Sequence, residues 1–159
     1  MKRALLVAVT AFGLIAWACP DELRWQIESE ILRVHEAIRA EDIGDYMEVV
    51  PPDLELRGGA MAADRQQVRE EVLRGWEGVQ QTHLIEATVE RLERRRDGAV
   101  DVWYAQRWDR TQVMEDGAPH RVLSERRYRE TWRRRGVRWF RYEIEDLGGR
   151  VWVDGRLQG

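Results

Sequence analysis

The chain holds a single cysteine, Cys19, so it can close no internal disulfide, and the spaced cysteine pairs that ligate zinc are missing. Histidine is scarce too: three residues, scattered, without an HExxH-like spacing. We therefore expect no metal and no cofactor. Neither familiar spacing of a glycine-rich phosphate loop occurs, and Gly58-Gly59 reads as the end of a strand. Ser29 falls in a helical stretch and Ser124 in an extended one, so a Ser–His–Asp system has no nucleophile elbow to stand on. Charge of one sign is also lacking, with 26 basic residues against 29 acidic ones and a net charge of −3. Nucleic-acid binding draws its affinity from phosphate counterions displaced by surplus positive charge, and that surplus is absent. No nucleic-acid partner is expected.

What is present begins with a segment unlike the rest. Met1, Lys2 and Arg3 form a positive start, "ALLVAVTAFGLIAWA" is apolar, and Ala16 and Ala18 put small residues just before Cys19. These are the three parts of a secretory signal peptide, and the apolar run is short for a bilayer span. We assign residues 1–18 to a signal peptide and 19–159 to one domain, exported to the periplasm or the exterior. Cys19 at the cleavage point resembles the lipobox of bacterial lipoproteins, whose cysteine carries the lipid. Ala16 and Trp17 depart from that pattern. Either Cys19 is lipidated and anchors the chain to the membrane, or cleavage after Ala18 leaves it free. An uncleaved anchor is the third option.

Beyond the leader, Leu23, Ile27, Ile31, Val34 and Ile38 recur at steps of three and four, a stripe along a helix from Asp21 to Arg39. A short second helix is predicted from about Asp42, stopped by Pro51 and Pro52. "LELRGG" reads as a brief strand. Asp64 with Gln67 forms a capping-box start for a third helix ending near Gly78. After Gln81 the period becomes that of strands, four long runs separated by "RDG", "EDGAP" and "RRRGV", with Asp97-Gly98 and Asp116-Gly117 as hairpin signals. "VWVDG" adds a fifth strand or caps the end of the sheet.

The arginine-rich run "RYRETWRRRGVRWFRYEIED" is then the wall of a sheet. With a two-residue loop at Gly136, alternation puts Tyr128, Glu130 and Trp132 on one face with Trp139, Arg141 and Glu143. Arg129 and Thr131 share the other face with Phe140, Tyr142 and Ile144. A three-residue loop would exchange the sets on one strand.

Helix, helix, short strand, helix and a long antiparallel meander resembles the nuclear-transport-factor-2-like (NTF2-like) superfamily, with its SnoaL-like polyketide cyclases and ketosteroid isomerases. "AIRAEDIGDYMEVVPPDLELRGG", "DGAVDVWYAQ" and the arginine-rich hairpin each look like strings of its small bacterial members. The resemblance spans about residue 22 to 155. It implies an α+β cone, three N-terminal helices packed on a curved four- to six-stranded antiparallel sheet, with an apolar cavity for a small molecule.

For such a cavity the candidates are aromatic and titratable. Trp25, Tyr46, Trp76, Trp108, Tyr128, Trp132 and Trp139 either line it and stack on a flat ligand or simply fill the core. Glu143 lies four residues after Trp139, where relatives carry a polar pocket residue; burial among Trp132, Trp139 and Tyr128 would raise its pKa and suit it to acid–base work. A salt bridge to Arg141 or Arg127 is the alternative. His83 and His120 are looser catalytic candidates or strand-end residues, and Asp101 and Asp109 have weaker claims. The first helix lacks the tyrosine that ketosteroid isomerase-like members use. The expected function is an exported domain that holds a small apolar or aromatic ligand without a defined reaction. Alternatives are a cofactor-free acid–base enzyme of cyclase, isomerase or dehydratase type, or a structural envelope protein forming a homodimer through its sheet.

Overall fold

The computed structural model describes residues 20–54 and 64–158. The leader, Cys19 and nearly all of the expected strand at "LELRGG" lie outside the described residues.

Three helices precede a meander: α1 (Pro20–Ala40), α2 (Ile43–Met47) and α3 (Arg65–Trp76), then β1 (Val79–Arg94), β2 (Val100–Val113), β3 (Pro119–Arg135), β4 (Arg138–Val153) and β5 (Arg156–Leu157). The sheet order is β1-β2-β3-β4-β5, antiparallel throughout. Among the described residues no helix is long and apolar enough to cross a membrane.

Each element starts where local chemistry dictates. On α1 the stripe residues Leu23, Ile27, Ile31 and Val34 are buried, joined by Ala37. Asp42 caps α2 by accepting from the Asp45 amide at 3.0 Å. Asp64 and Gln67 exchange side-chain and backbone bonds at 2.9 Å, a complete capping box on α3. Gly78 then turns the chain into β1 at φ +78°, where an added Cβ would meet the Val113 carbonyl at 2.9 Å. At the β1–β2 and β2–β3 turns one device recurs. Asp97 accepts from the Ala99 amide at 3.1 Å and Asp116 from the Ala118 amide at 2.9 Å.

The β3–β4 turn is the two-residue one, since Arg135 pairs with Arg138, and Trp132 accordingly faces Arg141. Directly beyond that pair, β4 carries one extra residue, Tyr142, so that Thr131 pairs with Glu143. Such a bulge bends the strand and shifts the side chains that follow to the opposite face, until the second register shift at Arg126/Tyr128 turns them back. Glu143 is therefore outside, exposed, and not buried among Trp132, Trp139 and Tyr128 as expected. Ile144 moves the other way. Further irregularities interrupt β1 at Val89/Arg91 and β3 at Arg126/Tyr128, and together they curl the sheet over the helices.

The core lies between α1, α2, α3 and the inner sheet face, with Ile27, Val100, Val102 and Trp132 wholly inaccessible.

Candidate functional site

β2 pairs with β3 without a bulge from Val100 to Val113, so its even-numbered side chains all point inward. Burial along that line changes abruptly. Val100, Val102 and Tyr104 are at most 3% exposed, whereas Gln106, Trp108, Arg110 and Gln112 are only partly covered. β3 and β4 repeat the pattern in part: Trp132, Glu130, Trp139 and Arg141 are buried, Tyr128 and Arg126 half-buried and Ile144 55% exposed, while Val122, further along β3 opposite Arg110, is buried again at 8%. The helices thus pack the end of the sheet near the Asp97 and Gly136 turns solid. They leave the inner wall towards the Gly117 turn incompletely covered.

A polar network sits at the junction. Glu130, 2% exposed, accepts from the Tyr104 hydroxyl at 3.0 Å, from Trp132 Nε1 at 2.9 Å and from Arg141 Nη1 at 3.1 Å. Arg141 Nη2 also donates to the Tyr46 hydroxyl at 2.5 Å, and the Arg141 amide donates to the Val49 carbonyl at 2.8 Å. Burial works against the Arg141 charge, but the oxygens of Tyr46, Glu130 and Tyr104 outweigh it and raise its pKa. Tyr104 is itself pushed well up, first by desolvation and then by the neighbouring Glu130 charge. Its hydroxyl stays protonated.

His35, 4% exposed on α1, borders this network. Its Nδ1 lies 2.7 Å from the Ile31 carbonyl, which can only accept, so Nδ1 carries the proton and Nε2 accepts from Gln106 Nε2 at 2.9 Å. Burial lowers the His35 pKa. The imidazole is neutral, edge-on to Tyr104 with centroids 6.1 Å apart.

Towards the open wall, Tyr104 stacks on Tyr128 at 5.5 Å and the Arg110 guanidinium lies over the Trp108 ring at 4.2 Å. Tyr46 meets Trp76 edge-to-face at 6.1 Å. These aromatic candidates therefore share the inner side. Trp132 and Trp139 also face inward, but at the solid end, where Trp139 Nε1 donates to Gln26 at 3.0 Å. Trp25 does not join them: it is 68% exposed, because it lies two residues, about 200° of helix, from Leu23.

The titratable candidates fall elsewhere. Glu143 accepts from Thr131 Oγ1 at 3.0 Å on the outer face, and neither anticipated arginine pairs with it, since Arg141 binds Glu130 and Arg127 binds Glu90. His83 is exposed at a β1 irregularity, 2.8 Å from Thr111 Oγ1. His120 lies between Asp154 at 2.7 Å and Asp116 at 2.8 Å near the β2–β3 turn, and those bonds raise its pKa. Asp101 and Asp109 are outer-face carboxylates. Asp101 is held by Arg95 at 2.7 Å, and Asp109 is gripped by both nitrogens of Arg121 at 3.0 and 2.7 Å. Among the described residues no group of three or more His, Cys, Asp or Glu is placed to hold a metal ion.

A recess of about 640 Å³ also lies on the outer face, between Glu86, Thr88, Arg107, Glu125, Arg127 and Arg150. Most of its charges already pair with one another or with Glu90, Arg150 to Glu125 at 3.1 Å and Arg127 to Glu90 at 3.2 Å. The buried Trp108 Nε1 without an acceptor and the Tyr104–Tyr128 stack are inside, and there we place the candidate site.

No family model and no curated protein sequence matches this chain. Solved structures do. Aln2 from a Streptomyces species superposes with a TM-score of 0.59 at 16% identity, over 80% of this chain and 92% of Aln2. A Catenulispora acidiphila protein gives 0.60 at 17% identity, over 79% and 92%. A Catenulispora acidiphila structure in complex with S-DNPA gives 0.56 at 16% identity over the same shares. Rd1NTF2_05, a designed NTF2-like protein, matches as a variant at 0.50 and 13% identity, over 78% and 98%. What such identities establish is architecture: three helices against a curled antiparallel sheet of five strands, the NTF2-like fold of SnoaL-like proteins.

Proposed function

We propose that this domain binds a small apolar or aromatic molecule between its helices and the open stretch of the inner sheet wall. The observation that carries this reading is the break in burial along β2, from Tyr104 at 3% exposed to Gln106, Trp108, Arg110 and Gln112 only partly covered. Half-covered aromatic surface facing inward is the composition of a ligand site. The Catenulispora acidiphila neighbour in complex with S-DNPA lends it support from the same fold. Calorimetric titration of the protein with methyl 2-naphthoate, a flat neutral probe, should give a saturable isotherm of one molecule per chain. Heats that never saturate, or saturation that survives replacement of Trp108 by Asp unchanged, would remove the reading.

A second reading, cofactor-free acid–base catalysis, is favoured by His35 rather than by Glu143. The imidazole is buried, neutral and has its lone pair on Nε2 shared only with Gln106. Its test is exchange of the α-protons of 2-tetralone in D2O, which should be faster with the protein and lose that acceleration in His35→Gln.

The same proposal places the domain outside the cytoplasm, its leader removed before Cys19. Intact mass of protein from a bacterial host reads this directly. A chain beginning at Cys19, with or without a lipid increment, supports export with cleavage, and a chain that retains Met1 or Lys2 refutes removal of the leader.

A further inference from the structure

Among the described residues one buried side-chain polar atom, Trp108 Nε1, meets no hydrogen-bond partner, and the partly covered Arg110 near it forms no ion pair; both residues are on the inner face of β2. Trp108 Nε1 is buried and meets no acceptor among the described residues. A buried N–H without an acceptor costs free energy, so its persistence asks for an explanation. Arg110, two positions on, has no carboxylate within ion-pair distance among the described residues, although 29 acidic residues are distributed through the chain. Arginines nearby illustrate the contrast: Arg126 pairs with Asp146, Arg121 with Asp109 and Arg107 with Glu125. Burial lowers the Arg110 pKa with no acid to offset it, and the one neighbour acting the other way is the Tyr128 phenol. The guanidinium is nevertheless held in place over the Trp108 indole, 4.2 Å from the ring centre.

From this juxtaposition we infer that Trp108 Nε1–H and the Arg110 guanidinium form an anion subsite that receives the carboxylate of a small apolar or aromatic acid. The inference rests on the ligand-binding reading above and specifies the ligand class for that site. The fork of a guanidinium matches the two oxygens of a carboxylate, and the indole N–H adds a third donor beside it. Ile85 and Ser124, the strand neighbours of Trp108 on either side, and the Tyr128 ring leave mainly apolar and aromatic surface for the body of the acid. An acid with a flat apolar body therefore satisfies both groups and covers the wall.

The test compares 2-naphthoate with its neutral methyl ester on the full chain by calorimetry, while the Trp108 indole N–H is followed in 1H–15N spectra. The acid should bind about tenfold or more tightly than the ester, the size of a charge-assisted bond. It should also move the Trp108 N–H resonance downfield. Arg110→Gln should abolish the preference for the acid over the ester, and Trp108→Phe, which keeps a ring but loses the donor, should reduce it. Thermal unfolding of each variant identifies any that fails to fold, and Arg110→Lys, which keeps the charge without the fork, then serves as the second variant, expected to show a reduced preference. Equal affinity for acid and ester, with the ester still binding, would overturn the anion subsite and leave the ligand-binding reading standing. No binding of either probe would overturn both.

Discussion

Replacing Glu130 by Leu should cost far more than its single ion pair suggests. The carboxylate satisfies three donors at once, Tyr104, Trp132 Nε1 and Arg141, from a position 2% exposed. Removal leaves the Arg141 cation buried without an anion, a change that costs about 3–5 kcal/mol when one partner of a buried pair is deleted. Two neutral donors lose their acceptor as well, at about 1 kcal/mol or more each. The variant is expected to lose about 4 kcal/mol or more, a large share of a domain stability of about 5–15 kcal/mol. Urea unfolding followed by tryptophan fluorescence measures this. Arg141→Met in the same background removes the stranded charge, so the double variant should recover about 2 kcal/mol relative to the sum of the singles. A loss below about 1 kcal/mol for Glu130→Leu, or strict additivity in the double variant, would refute the claim that these groups form one buried unit.

Three further expectations follow from the geometry. The two histidines with shifted pKa values should diverge in an NMR titration, His120 above 6.5 because Asp154 and Asp116 favour its charged form, and His35 below 6.5 because burial disfavours it. In sign, the His120 contribution to stability is complete below 6.5 and fades as pH rises through its folded pKa, whereas the His35 contribution is complete above 6.5 and fades as pH falls through its folded pKa. Gly149→Ala should destabilise by about 2 kcal/mol in urea unfolding, since its Cβ would sit 2.0 Å from the Glu125 carbonyl oxygen and strand β4 must back away from β3. Trp25→Ala should change stability by no more than about 0.5 kcal/mol and leave binding of methyl 2-naphthoate intact, because the indole is 68% exposed on the far side of α1.

The architecture was legible because its signals are local. The Asp64–Gln67 box, the Asp97 and Asp116 turns and the α1 stripe each specify their own element without help from the rest of the chain. Alternation with a two-residue turn even placed Glu130, Trp132, Trp139 and Arg141 on one face, where they are found. The site was less legible, for two physical reasons. A bulge of one residue at Tyr142 turns Glu143 outward, and no glycine or proline in that stretch announces it; the Arg141 amide bonded to Val49 is a tertiary contact that strand periodicity cannot reveal. His35 lies beside Val34 at the edge of the α1 stripe, and its role depends on Gln106, 71 residues away. Trp25 could have been excluded from the outset, because its angle from Leu23 and Ile27 puts it off the apolar face.

The central claim is that one end of the inner wall is packed solid and the other receives a ligand. Fluorine NMR of 5-fluorotryptophan-labelled protein, titrated with methyl 2-naphthoate, tests it most directly because tryptophans report from each region. Trp108 should shift while Trp132 and Trp139 at the solid end, and Trp103 and Trp152 beneath outer-face arginines, stay put. Shifts confined to Trp103 and Trp152, or a Trp108 signal indifferent to saturating probe, would contradict it.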